Sequence, residues 1–259
     1  MGHAHQSVLV AVLLFVGMLV LLEVGRRAQA RRQLREPLAP DQGTGALEAA
    51  VYGLLALLIA FTFSGAATRF VGRRHLVVEE ANAIGTAYLR VDLMPPAVQP
   101  ALKDSFRRYL DSRLEAYSQL PDMEAFRAGL LKASALQAEI WRQVVAACPK
   151  AEGGTPACML LLPALNLMFD ITTTRTAAFE EHPPAIIFVM LCVLTLVTAL
   201  VAGYNLTGDR KRNWLPMIGF AITVAATVYV ILDIEYPRVG FIRVEAIDRV
   251  LVELRASMK

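Results

Sequence analysis

The chain has 259 residues, 56% of them apolar and 19% charged, with a mean hydropathy of +0.47. This balance excludes an ordinary soluble domain, a disordered chain and a collagen-like repeat, and 3 cysteines are too few for a disulfide-dense secreted module. A formal net charge of +3, scattered along the chain, leaves no electrostatic footprint for nucleic acid.

Four segments approach the roughly 20 apolar residues that a helix needs to cross about 30 Å of hydrocarbon. The first runs from Ser7 to Val24, and the second from Leu47 to Ala67, where it closes in Thr62, Phe63, Ser64, Gly65 and Ala66. The third runs from Pro184 to Tyr204, and the fourth from Trp214 to Leu232, edged by Tyr229, Asp233, Glu235 and Tyr236. A fifth apolar run, Ala157 to Phe169, is short, contains Pro163 and Asn166, and reads as a buried helix of a soluble part, with a re-entrant segment as the other reading. The predicted class is therefore an all-α polytopic membrane protein with a helical insert. Its parts are a first helix pair (1–69), the insert (70–183), a second helix pair (184–235) and an amphipathic tail (236–259).

The first span is not a signal peptide, because its positive charges, Arg26, Arg27, Arg31, Arg32 and Arg35, follow the apolar stretch. Together with Arg210, Lys211 and Arg212 they place the loops Gly25–Ala46 and Asn205–Asn213 on the cytoplasmic side. Both termini and the insert are then expected in the periplasm of a bacterial inner membrane, although Arg69, Arg73 and Arg74 are a counter-signal. Cys148 and Cys158 bracket a tight loop between two predicted helices. A bond between them would form in an oxidising periplasm and not in a reducing cytosol, and two unpaired, half-buried cysteines are the other reading.

The insert is helical throughout. Val77–Leu93 ends at Met94, Pro95 and Pro96. Ala101–Gln119 carries Leu102, Phe106, Tyr109, Leu110, Leu114 and Tyr117 at spacings of three and four, and Asp122–Ala147 carries Met123, Phe126, Leu130, Leu136, Ile140 and Val144 likewise. Ala157–Phe179 returns to the membrane through His182, Pro183 and Pro184. After a turn at Tyr236–Gly240, the amphipathic helix Val244–Arg255 is expected to dock on the bundle or on a neighbouring subunit.

No phosphate loop, nucleophile elbow or metal-ligand cluster occurs, so neither catalysis nor a cofactor is expected. His3 and His5 fit a frayed terminus better than a metal site. Polar residues do decorate two apolar helices. Glu79, Asn82, Thr86 and Arg90 share one face, and Asn166, Asp170, Thr173 and Thr174, with Arg175 adjacent, form a second row; Arg90 is expected near Asp170. These rows read either as a structural hydrogen-bond network or as a vestibule above a pore. In the vestibule reading Glu79, Glu80, Asp233 and Glu235 supply negative charge, and Arg69, Arg73, Arg74 and Arg238 positive charge.

Small residues four apart, Ala60 with Ser64, Ala199 with Gly203 and Ala221 with Ala225, suit helix packing in a membrane. In the second span Tyr52, Thr62, Ser64 and Thr68 offer hydroxyls beside the apolar Ile59, Phe61 and Phe63, which reads equally as a pore lining or as packing. No span carries a charge at mid-membrane, which argues against a proton-coupled carrier within one subunit and leaves room for a pore where several subunits meet.

The strings AFTFSGAATRF, VVEEANAIGTAYLR, LPALNLMFDITTTRTAA and VILDIEYPRVGFIRV resemble the signature blocks of the bacterial bestrophin-like proteins, over a match from about Gly45 to Met258. That family is distantly similar to the bestrophins, pentameric anion channels with four membrane helices per subunit and a large helical insert. The resemblance implies a homo-oligomer, a pentamer on that pattern, that passes inorganic ions and favours an anion. It sets Ile59, Phe61 and Phe63 where the apolar neck lies, and it carries no calcium ligand onto this chain. Two readings therefore stand: an oligomeric ion channel with its pore along the second span, or a non-conducting envelope module whose insert binds a ligand or partner.

Overall fold

The computed structural model describes residues 2–35, 45–120, 122–148, 154–205, 214–236 and 245–259. Arg210, Lys211 and Arg212, Val244, and the turn with Pro237, Arg238, Val239 and Gly240 lie outside the described residues, as do residues 36–44 and 149–153 of the two tight or basic loops and the side chains of His3, His5 and Ile247. The described residues are helical and contain no strand: α1 (Gly2–Arg35), α2 (Gly45–Arg90), a 3-10 turn (Val91–Leu93), α3 (Gln99–Ser118), α4 (Met123–Ala147), α5 (Gly154–Glu180), α6 (Ala185–Asn205), α7 (Trp214–Glu235) and α8 (Glu245–Ser257). Four stretches, carrying α1, α2, α6 and α7, are long and apolar enough to cross a membrane.

The clearest departure from the sequence reading is α2. The second span and the helix expected at Val77–Leu93 are one continuous helix of 46 residues. Between Ala67 and Val77 Gly72 is the weakest helix former, and without a proline nothing removes a backbone donor, so the arginine-rich string Arg69–His75 continues the helix. Pro95 and Pro96 end it, after the 3-10 turn.

The chain divides into two compact units, one of residues 1–68 and 182–236, the other of 69–181 and 237–259. In the first, α1 packs along α6 and α7. Leu14, Met18 and Leu22, one per turn of α1, meet Leu191 and Ala199 of α6 and the α7 stripe of Met217, Ala221, Val224, Val228 and Ile231. The α1–α6 crossing brings backbones together. A Cβ on Gly203 would collide with the Leu22 backbone, and one on Gly25 with the Leu200 carbonyl and the Tyr204 amide. Ala199 and Gly203 are both buried here, as are Ala221 and Ala225, so two of the small-residue pairs are packing contacts. Ala60 and Ser64 are exposed.

In the second unit Phe106, Tyr109 and Leu110 of α3, Ile140 and Val144 of α4, and Leu161, Leu165 and Met168 of α5 build the core. Asp122 caps α4 by accepting from the Glu124 and Ala125 amides, each at 3.0 Å. Gly129 lets α4 approach Ala116 of α3, whose Cβ would lie 2.7 Å from an added one. Cys148 and Cys158 are joined by a disulfide across the α4–α5 loop, with Cα atoms 5.9 Å apart. α8 docks on this unit: Leu251 is buried, Arg255 forks onto Asp111 at 2.7 and 3.0 Å, and the Tyr88 hydroxyl donates to the Lys259 carbonyl at 2.8 Å.

Candidate pore surface and buried charge network

A stripe along α2 stays uncovered among the described residues. Leu54, Leu57, Phe61, Ser64, Thr68, Val71, His75, Val78, Asn82, Thr86 and Leu89 are all exposed, and they recur at steps of three and four, so they lie on one face of the helix. A 3.5-residue period of this kind is the pattern by which helices pack on other helices. Of the most apolar 18-residue window of α2 only 6% is buried, against 39% for α7. Phe61 is 67% exposed and Phe63 43%.

The second unit encloses a charge network. Glu80, which leaves no surface exposed, receives Arg113 Nε at 2.6 Å on one carboxylate oxygen and Arg175 Nη1 on the other. Arg175 Nη2 reaches on to Asp248 of α8 at 3.3 Å. The Tyr117 ring lies 3.9 Å from the Arg175 guanidinium carbon and 5.1 Å from that of Arg113, within cation–π range of both. Two helices, α3 and α5, thereby present one guanidinium each to a single carboxylate on α2. Burial alone would raise the Glu80 carboxyl, but Arg113 and Arg175 outweigh it and hold the group below the ordinary glutamate range. Burial likewise works against the charge on Arg113, and Glu80 reverses the effect and holds that group above the usual arginine value.

The sign of the pH dependence follows. A carboxyl whose folded value lies below its unfolded value of about 4.3 contributes its full stability above that pH, and the contribution is lost as pH falls through the depressed folded value. Thermal melting of the detergent-solubilised protein is therefore expected to show an acid limb below the ordinary glutamate range. That limb should shrink in the triple variant Glu80→Leu/Arg113→Met/Arg175→Met, and an undiminished limb would contradict the assignment to Glu80.

In the first unit His182 Nδ1 lies 3.3 Å from Glu235 Oε1, and the Tyr229 hydroxyl donates to Asp233 at 3.1 Å. Both acids are buried.

The sequence matches the Bestrophin-like domain over residues 8–247. The chain belongs to the bestrophin-like family. Two structures of a bacterial bestrophin homologue from Klebsiella pneumoniae, one with a tyrosine and one with a tryptophan changed to alanine, share the fold of this bestrophin-like chain. They do so at TM-scores of 0.67 and 0.68 with 14% and 13% identity, over 95% and 99% of this chain and 99% and 100% of theirs. No curated protein matches the sequence.

Within this bestrophin-like chain the residues singled out in the sequence fall into three groups. On the exposed stripe of α2 or beside it stand Phe61, Ser64, Glu79, Asn82 and Thr86, whereas Phe63 is exposed on another side of the helix, two residues from Phe61. Ile59 and Thr62 are committed elsewhere: Ile59 packs against the first unit's core, and the Thr62 hydroxyl donates back to the Leu58 and Ile59 carbonyls at 2.8 and 3.0 Å. Glu80, Asp233 and Glu235, expected at an open mouth, are buried instead, because each has a polar partner that makes burial tolerable.

The expected pairing of Arg90 with Asp170 is replaced by another contact. Arg90 Nη1 donates to the Leu160 carbonyl of α5 at 2.6 Å. Asp170 lies ten residues further along α5 and is exposed. Arg73, read as a mouth charge, donates to the Ala178 and Glu181 carbonyls at 3.0 and 2.8 Å and so closes the C-terminal end of α5. Arg113 was missed by sequence reasoning, yet it carried a signal. It falls three residues after Leu110 and four before Tyr117, inside the apolar stripe of α3, where a charge must find a buried partner.

Proposed function

We propose that the chain is one subunit of a homo-oligomeric ion channel in a bacterial inner membrane, with the pore running along α2. The observation that carries this reading is the uncovered 3.5-period stripe of α2, which mixes apolar Leu57 and Phe61 with hydroxyl-bearing Ser64 and Thr68. A helix facing only lipid has no need of those hydroxyls, whereas a pore wall requires both wettable positions and an apolar constriction. Phe61 supplies the constriction on this face. Glu79, Asn82 and Thr86 line the vestibule. Membership of the bestrophin-like family supports conduction and favours an anion. In this reading the chain has no catalytic role, and its partners are further copies of itself, the bilayer and the permeant ion.

Phe61→Ala, reconstituted in planar bilayers, is expected to raise conductance or leak several-fold over the parent, as removal of a bulky apolar ring from a dewetted neck does, and Phe63→Ala, on another side of α2, to raise it less. Unchanged currents in both would move the pore off this part of α2.

The same reading sets the helical insert in the periplasm, with Arg26, Arg27, Arg31 and Arg32 on the cytoplasmic side. A disulfide between Cys148 and Cys158 fits an oxidising compartment. In a Cys192→Ala background, which removes the free thiol, Cys148 and Cys158 of intact cells should resist alkylation until a membrane-impermeant reductant is added. Labelling by a cytosol-confined reagent without reductant would reverse the orientation.

A further inference from the structure

The buried network of the second unit forms the floor of a cleft of about 410 Å³, within the range of small-molecule sites. Arg113, Arg175 and Tyr117 lie at its base, Leu114, Leu120, Leu251 and Val252 form apolar walls, and Asp248 stands among them on α8. Two features set this cleft apart from a network that merely holds helices together. Arg113 is fully buried, yet its Nη1 has no hydrogen-bond partner among the described residues. Buried guanidinium donors are costly to leave unmade. In addition, Asp248 meets Arg175 Nη2 at 3.3 Å, longer than the about 2.7–2.9 Å of a good charge-assisted bond, while its side chain keeps 20% of its surface exposed. One donor is therefore vacant, and a second is held loosely by a carboxylate at the cleft's edge.

We propose that this cleft binds a small amphipathic monocarboxylate, whose carboxylate takes up the guanidinium donors of Arg175 and Arg113 in competition with Asp248 and whose apolar body lies against Leu114, Leu120 and Val252. The class follows from shape and charge. A guanidinium fork matches a planar carboxylate, and the Tyr117 ring, within cation–π range of both guanidiniums, bounds the side from which a guest approaches them. Glu80 and Asp248 already balance the two arginines, so a guest that displaces Asp248 can carry one negative charge without an uncompensated excess, and a dianion cannot. The walls are too apolar for a guest polar throughout. Because Asp248 sits on α8, occupancy also loosens one tie of that helix to the rest of the unit.

The test uses the full chain in nanodiscs at neutral pH, titrated calorimetrically with sodium hexanoate and, in parallel, with methyl hexanoate and inorganic phosphate. Saturable millimolar binding of hexanoate alone is expected. Val252→Trp, at a half-exposed position, fills the cleft without touching the network and should weaken it by at least about tenfold. Asp248→Asn removes the competing carboxylate and should tighten binding several-fold, a gain that a purely structural aspartate would not give. Absence of saturation, methyl hexanoate or phosphate binding as tightly as hexanoate, undiminished binding to Val252→Trp, or no gain in Asp248→Asn would each overturn the proposal. The readout is binding and does not depend on conduction, so its failure is separate from failure of the channel reading.

Discussion

Replacing Glu80 with alanine is expected to be the most damaging single change in the helical unit, lowering its stability by about 3–5 kcal/mol. The reason is asymmetry. Arg113 and Arg175 are both buried and both rely on this carboxylate, so removing it leaves two desolvated cations beside each other with only the longer Arg175–Asp248 contact to offset them. Thermal melting followed by fluorescence-detected size exclusion should show a midpoint lower by about 10 °C or a complete loss of the folded peak. Glu80→Leu/Arg113→Met/Arg175→Met, which exchanges the triad for apolar groups and leaves the part-exposed Asp248 in place, should recover most of the loss, since a fully replaced ion triad is often neutral. A Glu80→Ala protein that melts with the parent would show that the network is solvated and not the buried triad described above.

The second large effect is expected at Gly203. Its hydrogen faces the backbone of Leu22, so a side chain there has nowhere to go and must push α1 away from α6. Gly203→Ala should cost about 1–3 kcal/mol, as overpacking commonly does, and Gly203→Leu should abolish the monodisperse peak in detergent. Gly53 and Gly219, where an added Cβ meets nothing within 4 Å, provide the contrast. Alanine at either should be neutral or raise stability by a few tenths of a kcal/mol, because it restricts the unfolded chain. Equal damage at Gly53 and Gly203 would mean that helix flexibility, and not the α1–α6 contact, is what Gly203 provides.

The apolar spans and the helices of the insert are legible in the sequence because burial imposes spacings of three and four that can be counted: Leu102, Phe106, Tyr109 and Leu110 lie in the core of α3, and Phe126, Leu136, Ile140 and Val144 in that of α4. Their ends are legible too, in Pro95 and Pro96 after α2 and in Asp122 before α4. The unbroken course of α2 is not, since a run of charged residues after an apolar span looks like a membrane boundary whether or not the helix continues through it. Nor is the register of one helix against another. Periodicity assigns Arg90 to a face but does not say which turn of α5 it reaches, and it reaches Leu160. Glu80 and Asn82 sit within one turn of each other, yet one is buried and the other exposed. What separates them is Arg113 and Arg175, far away in sequence.

In the channel reading α2 faces other copies of the chain around a common axis, and a cryo-EM reconstruction of the full protein in nanodiscs tests this directly. The prediction is a closed ring with cyclic symmetry in which Phe61, Ser64 and Thr68 point toward a central path. A monomer, or a ring whose α2 stripe faces lipid with no opening on the axis, would contradict it.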